Sequence, residues 1–139
     1  LVIGQDVERN GGIEITANTI TVRRGVTVDS PNNDVELTAE GGDLDLTGAT
    51  IIADSPGGTR DIELEAENGN IILLDTNLSA DGDMEATPAD DGTVFVNNSG
   101  DSDNGGTIIE DRNGNAADLS LEAGTVSGVP EKGTVIDNT

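Results

Sequence analysis

Apolar and polar positions alternate with period two along most of the chain, and no stretch repeats with the 3.6-residue period of an amphipathic helix. The alternating units are short. Two aliphatics flank one other residue at Ile13/Ile15, Ile20/Val22, Val26/Val28, Val35/Leu37, Leu44/Leu46 and Ile51/Ala53. The pattern continues at Ile62/Leu64, Ile71/Leu73, Leu78/Ala80, Val94/Val96, Ile108, Leu119/Leu121 and Val126. Clusters of Gly, Asn, Asp, Ser or Pro separate many of these units, as turn residues separate strands. Each unit places two side chains on one face, which predicts three short strands per coil of a stacked structure.

Residues 34–54 (DVELTAEGGDLDLTGATIIAD) and 61–81 (DIELEAENGNIILLDTNLSAD) are one module written twice, 27 positions apart. Nine of the 21 aligned positions are identical, and at three more one aliphatic stands for another. Fainter copies extend outward. IEITA at 13–17 matches VELTA at 35–39, and DLSLEAG at 118–124 matches DIELEAE at 61–67. A repeat of this length points to a stacked architecture. The expectation is a single all-β domain over 1–139, a right-handed parallel β-helix of about five coils. Handedness is taken from the crossover preference of parallel strands. Irregular loop insertions are expected around 84–116, with 81–92 and 97–106 projecting from the column. A β-sandwich would also use many short strands, but it has no need for apolar pairs that superpose one by one at a fixed interval.

Composition agrees with a narrow core. Among 139 residues, 33% are hydrophobic and Phe95 is the only aromatic. Low hydrophobicity with high net charge also marks disordered chains; the regular placing of paired aliphatics argues against that here. GGDLDLTGATIIAD and its variant NGNIILLDTNLSAD resemble the repeats of filamentous-haemagglutinin-like adhesins. That resemblance implies a right-handed β-helix exposed at the cell surface or secreted as a rod, with surface polysaccharide as a further partner. The Asn-Pro secretion motifs of the bacterial family are missing here. The acidity resembles that of salt-loving archaeal surface proteins.

Net charge is −22, from 28 acidic and six basic residues. Such a balance excludes nucleic acid as a partner, because phosphate binding needs basic patches, and it disfavours anionic membranes. No apolar run reaches the roughly 20 residues that span a bilayer. With no Cys, disulfides and thiolate metal sites are excluded. The chain starts at Leu1 rather than Met, without a charged leader followed by an apolar stretch, and reads as a processed or excised product.

Stacking converts the repeat into a statement about charge. Glu14, Glu36 and Glu63 fall between inward aliphatics, so they form an outward column. Asp29, Asp54 and Asp81 are each expected just after the third strand of a coil. Asp34 and Asp61 precede the first, with Asp118 in register two coils on. Neighbours lie about 4.8 Å apart, where two carboxylates repel by roughly 1 kcal/mol in water and about 3.5 kcal/mol at an effective dielectric of 20. Molar salt offsets this by screening, and Ca²⁺ by coordination to oxygen. The candidate metal ligands are therefore Asp29, Asp54, Asp81, Glu36 and Glu63. Asp101 and Asp103 join them from an Asp-rich loop. Asp111, Asn113 and Asn115, with Glu122 at the twelfth position, echo an EF-hand loop, but Ala116 stands where that loop has Gly. Asn77-Leu-Ser79 and Asn97-Asn98-Ser99 are candidate glycosylation sites.

Nothing reads as a catalytic centre. His, Cys, Tyr and Trp are all absent, which removes most nucleophilic and acid–base arrangements. A Ca²⁺-dependent polysaccharide lyase using Arg60 is a third reading, weakened by the lack of a site constellation. The termini point elsewhere. Leu1-Val2-Ile3 and Val135-Ile136 both read as strands, and neither terminus carries a capping amphipathic helix. Uncapped β-helix ends invite head-to-tail self-association. The expected function is a secreted, non-enzymatic filament or surface-rod subunit, stabilised by cations; the alternative is an excised segment of a long adhesin.

Overall fold

The structure is a computed structural model and describes residues 1–56, 58–98 and 105–139. Strands follow one another in threes. The first three are β1 (Val2–Ile3), β2 (Val7–Glu8) and β3 (Ile13–Ala17). Then come β4 (Ile20–Val22), β5 (Thr27–Ser30), β6 (Val35–Ala39), β7 (Leu44–Asp45), β8 (Thr50–Ala53) and β9 (Ile62–Ala66). The series continues with β10 (Ile71–Ile72), β11 (Asn77–Ala80), β12 (Met84–Thr87), β13 (Thr93–Phe95), β14 (Ile108–Glu110) and β15 (Asp118–Leu121). It closes with β16 (Thr125–Ser127) and β17 (Thr134–Asp137); no helix occurs among the described residues.

Successive strands feed three parallel sheets in rotation. One runs β1-β4-β7-β10-β13-β16, the second β2-β5-β8-β11-β14, and the third β3-β6-β9-β12-β15-β17. The chain is thus an all-β solenoid, in which each strand pairs with its equivalent one turn away. The duplicated module is stacked in the register its sequence implies: Val35 on Ile62, Leu44 on Ile71 and Ile51 on Leu78. The fainter copies also align, Ile13 on Val35 and Met84 on both Ile62 and Leu119.

Alternation does the rest. In β6, Val35, Leu37 and Ala39 are fully buried while Glu36 and Thr38 face outward. The core is a column of Ile, Leu, Val and Ala running the length of the stack, and Phe95 lies outside it, on the outer face beside Ile72. A few buried hydroxyls are bonded to the backbone. Thr76 Oγ1 donates to the Leu46 carbonyl at 2.7 Å, and Thr107 Oγ1 to that of Leu73.

Two local expectations are corrected. Met84–Thr87, within the segment expected to project as a loop, is strand β12, with Met84 and Ala86 buried under β9 and β15. The inward residue of β14 is Ile109, not Ile108, because Ile108 stands over Asn77 and Ile109 over Leu78. Two adjacent isoleucines leave the parity of a strand open, and the neighbouring turn decides it.

Between the first and second sheets the chain turns a tight corner in the left-handed region. Gly25 (φ 83°), Gly48 (φ 73°) and Asp75 (φ 57°) occupy it on successive turns. Gly48 has a second role. A Cβ there would lie 2.6 Å from Arg24 Cγ, so its absence lets the Arg24 side chain cross one turn and bond Asp75 on the next, Nη2 to Oδ2 at 3.1 Å.

Candidate functional site

The acidic side chains fall into two kinds of column. The first sits at the corner entering the third sheet, where Asp34, Asp61 and Asp83 directly precede β6, β9 and β12. The carboxylates of Asp34 and Asp61 are each taken up by the turn stacked on them. Asp34 Oδ1 accepts the Asp61 backbone N–H at 2.9 Å, and Asp61 Oδ1 accepts that of Asp83 at 2.8 Å. The same device recurs at other corners. Asp43 Oδ1 accepts Asn70 N–H, Asn70 Oδ1 accepts Thr93 N–H, and Asp6 Oδ1 accepts Thr27 N–H, all at 2.8–2.9 Å. Through these bonds the aspartates act as links between turns.

The second kind is the outward glutamate column of the third sheet. Glu14, Glu36, Glu63 and Glu85 stand in direct register on β3, β6, β9 and β12. Partial burial raises the Glu63 carboxyl above its ordinary value, and Glu36 and Glu85 on either side raise it further. Glu36, Glu63 and Glu85 line a shallow groove with Thr38 and Thr87.

A third acidic group lies at the edge of the second sheet, and its register differs from the expected one. Asp29 is inside β5 and pairs with Ile52, so it is out of phase with Asp54 and Asp81. There β5 ends at Ser30, over Ala53, so the position equivalent to Asp54 is Pro31, two residues after Asp29. Asp29 and Asp54 both titrate above the ordinary aspartate value, first because of burial; Asp54 adds to the effect on Asp29, and Asp81 to that on Asp54. Asp81 is better placed. Its Oδ2 accepts the Ser55 N–H at 2.7 Å and lies 3.9 Å from Arg112 Nε.

Among the described residues, no group of three or more acidic side chains is placed to hold a metal ion. Asp54, Asp81, Glu36 and Glu63 stand along edges and columns without converging, and Asp101 and Asp103 lie outside the described residues. The Asp111 loop is closed on itself: Oδ1 accepts the N–H groups of Asn113 and Asn115. These bonds hold its carboxyl below the ordinary value. Arg60 donates to the Thr59 carbonyl.

The two sequons differ. Asn77 faces outward at the start of β11, half-buried, while Ser79 is buried with its hydroxyl toward the Asp111 carbonyl. Asn97 is committed to the corner of the neighbouring turn. Its Oδ1 accepts the Asp75 N–H and its Nδ2 donates to Asp75 Oδ1, so a glycan on Nδ2 would disturb the only non-glycine left-handed corner among the described residues. Ser99 lies outside the described residues.

The ends of the stack form the remaining site. Strands β1, β2 and β3 are outermost at one end and β16, β14 and β17 at the other. The exposed large aliphatics gather there: Leu1 56%, Val2 56%, Val126 38%, Val129 66% and Ile136 40%. Of the expected assembly residues, Leu1, Val2 and Ile136 are exposed, whereas Ile3 and Val135 are partly buried against the core.

Sequence reasoning missed the capture of turn carboxylates by backbone amides. A signal was present, since Asp stands immediately before Val35, Ile62, Met84 and Leu119. Comparison of the chain with protein-family models, curated proteins and solved structures found no match in any of the three.

Proposed function

We propose that this chain is a non-enzymatic building block of an extracellular rod or filament, a right-handed solenoid of about five coils that stacks end to end. The observation that carries this reading is the confinement of exposed large aliphatics to the two ends of the stack. Edge strands with apolar neighbours are templates for another chain. A contact between unlike ends does not close, so it propagates into a filament.

Cations support the rod in this reading. The glutamate column offers single carboxylates at strand spacing and, among the described residues, no converging third ligand. That geometry suits a mobile layer of counterions better than chelation, with Ca²⁺ a more effective member of the layer than Na⁺ because of its charge. Thermal unfolding with EDTA and then with Ca²⁺ at constant ionic strength separates the two modes. A melting temperature that follows ionic strength alone supports the layer, and a saturable rise at micromolar Ca²⁺ replaces it with a specific site.

Sedimentation velocity and electron microscopy of residues 1–139 from low to molar NaCl test the assembly. Rods that lengthen with protein concentration and salt are expected, and deletion of residues 1–4 should abolish them. Monomers under every condition would overturn the proposal. In the second reading, a segment of a long secreted adhesin, the same ends meet further turns of their own chain. The intact mass of the native protein decides: 14.2 kDa for a subunit, far more for a segment, with any glycan allowed for.

A further inference from the structure

If copies stack as proposed above, the columns already present fix how they meet. We propose that they join head to tail in one register, with Lys132 of one copy beneath Asp6 of the next. The second sheet carries a column through Thr27, Thr50, Asn77, Ile108 and Lys132. Asp6 heads this column, one position before Val7, which pairs with Val28, and it accepts the Thr27 N–H. One further turn in the same sense puts Lys132, the only lysine, against Asp6 at about 4.8 Å strand spacing. The same step places Val126 beneath Leu1 in the first sheet and Val135 beneath Ile13 in the third, since Leu119 pairs with Val135 and Val94 with Val126.

Charge favours unlike ends. Residues 1–33 hold four acidic and three basic side chains, and the rest of the chain holds 24 and three. Exposed Arg9 and Arg23 lie near the first end, whereas Asp118, Glu122, Glu131 and Asp137 lie near the other. Pairing two of the acidic second ends would oppose like charges, whereas the first end is close to balanced. One feature weakens the joint. Asp137 occupies the inward register of β17, opposite Leu121, and would face Ile15 of the next copy. Lys132 also bonds Glu110 at 3.1 Å within its own chain.

Charge reversal tests the register. Lys132→Glu and Asp6→Lys, each alone, should raise the concentration for half-assembly about fivefold, from the size of cross-strand charge pairs. An equimolar mixture should assemble like the parent chain, because every joint in an alternating filament then pairs opposite charges. Circular dichroism checks that each variant is folded. Asp137→Leu is the independent arm and should lower the half-assembly concentration at neutral pH. If the parent assembles while neither reversal weakens it, or the mixture does not recover, or Asp137→Leu leaves assembly unchanged, this register is wrong although stacking stands. If the parent never assembles, the stacking reading itself fails.

Discussion

The turn aspartates and the strand glutamates are stacked by the same register, yet they meet different surroundings. Asp34 and Asp61 repeat at the same 27-residue interval as Glu36 and Glu63. Each aspartate lies where the next turn presents an N–H, which its carboxylate accepts to link the two turns. Each glutamate lies two residues further on, mid-strand, where the backbone N–H groups are already spent on the sheet; Glu63 feels first the glutamates above and below and then Asp61 and Asp34. A stacked fold thus tolerates repeated charge at its corners and accumulates strain along its faces.

Breaking a corner link should have the largest effect. Asp61→Ala leaves the Asp83 N–H without its acceptor and should cost about 1–3 kcal/mol in urea unfolding. The pH dependence comes next. Glu63, Asp54 and Asp29 titrate above their ordinary values in the folded chain. Their contribution is complete below the ordinary values of 4.5 for Glu and 3.8 for Asp, and is lost as pH rises through the raised folded values. Asp111 and Asp137 are lowered, so theirs is lost only as pH falls below 3.8. The urea midpoint should therefore climb as pH falls through the raised folded values and peak near the ordinary carboxylate values, unlike the near-neutral optimum of most proteins. Glu63→Gln should stabilise the chain by roughly 0.2–1 kcal/mol at low ionic strength and have no measurable effect in 1 M NaCl; a gain that survives salt would mean that packing, not repulsion, limits the column. Smallest of all should be Asp61→Asn, within about 0.5 kcal/mol of the parent, because an amide oxygen can take the same N–H. Asn70 already does so in the Asp43 column.

The stacking could be read from the residues because inward aliphatics and outward glutamates recur together, and a slip of one position would have exchanged them. Parity failed at Ile108 and Ile109, where both candidates are the same residue. The strand at Met84–Thr87 was hidden by acidic and Gly neighbours that read as a loop, since Met84 and Ala86 are a weak apolar pair. Asp29 was misplaced because the second sheet turns after Ser30 rather than before it. Spacing alone could not show which carboxylates would be captured. Capture depends on a corner conformation that aims an N–H at the turn beneath, and that conformation is a property of the stacked pair.

The regular interval also fixes a mechanical behaviour. Strands pair with their neighbours in the stack, at intervals of 19 to 27 residues in the regular part. Pulled from its termini, such a chain has few ties longer than one turn, the Arg24–Asp75 pair among them. It should peel one turn at a time, and each event should release about 60–95 Å of contour, from an extended length of roughly 3.3–3.6 Å per residue. A rod of these units would lengthen under load in small, repeatable steps and rewind when the load falls.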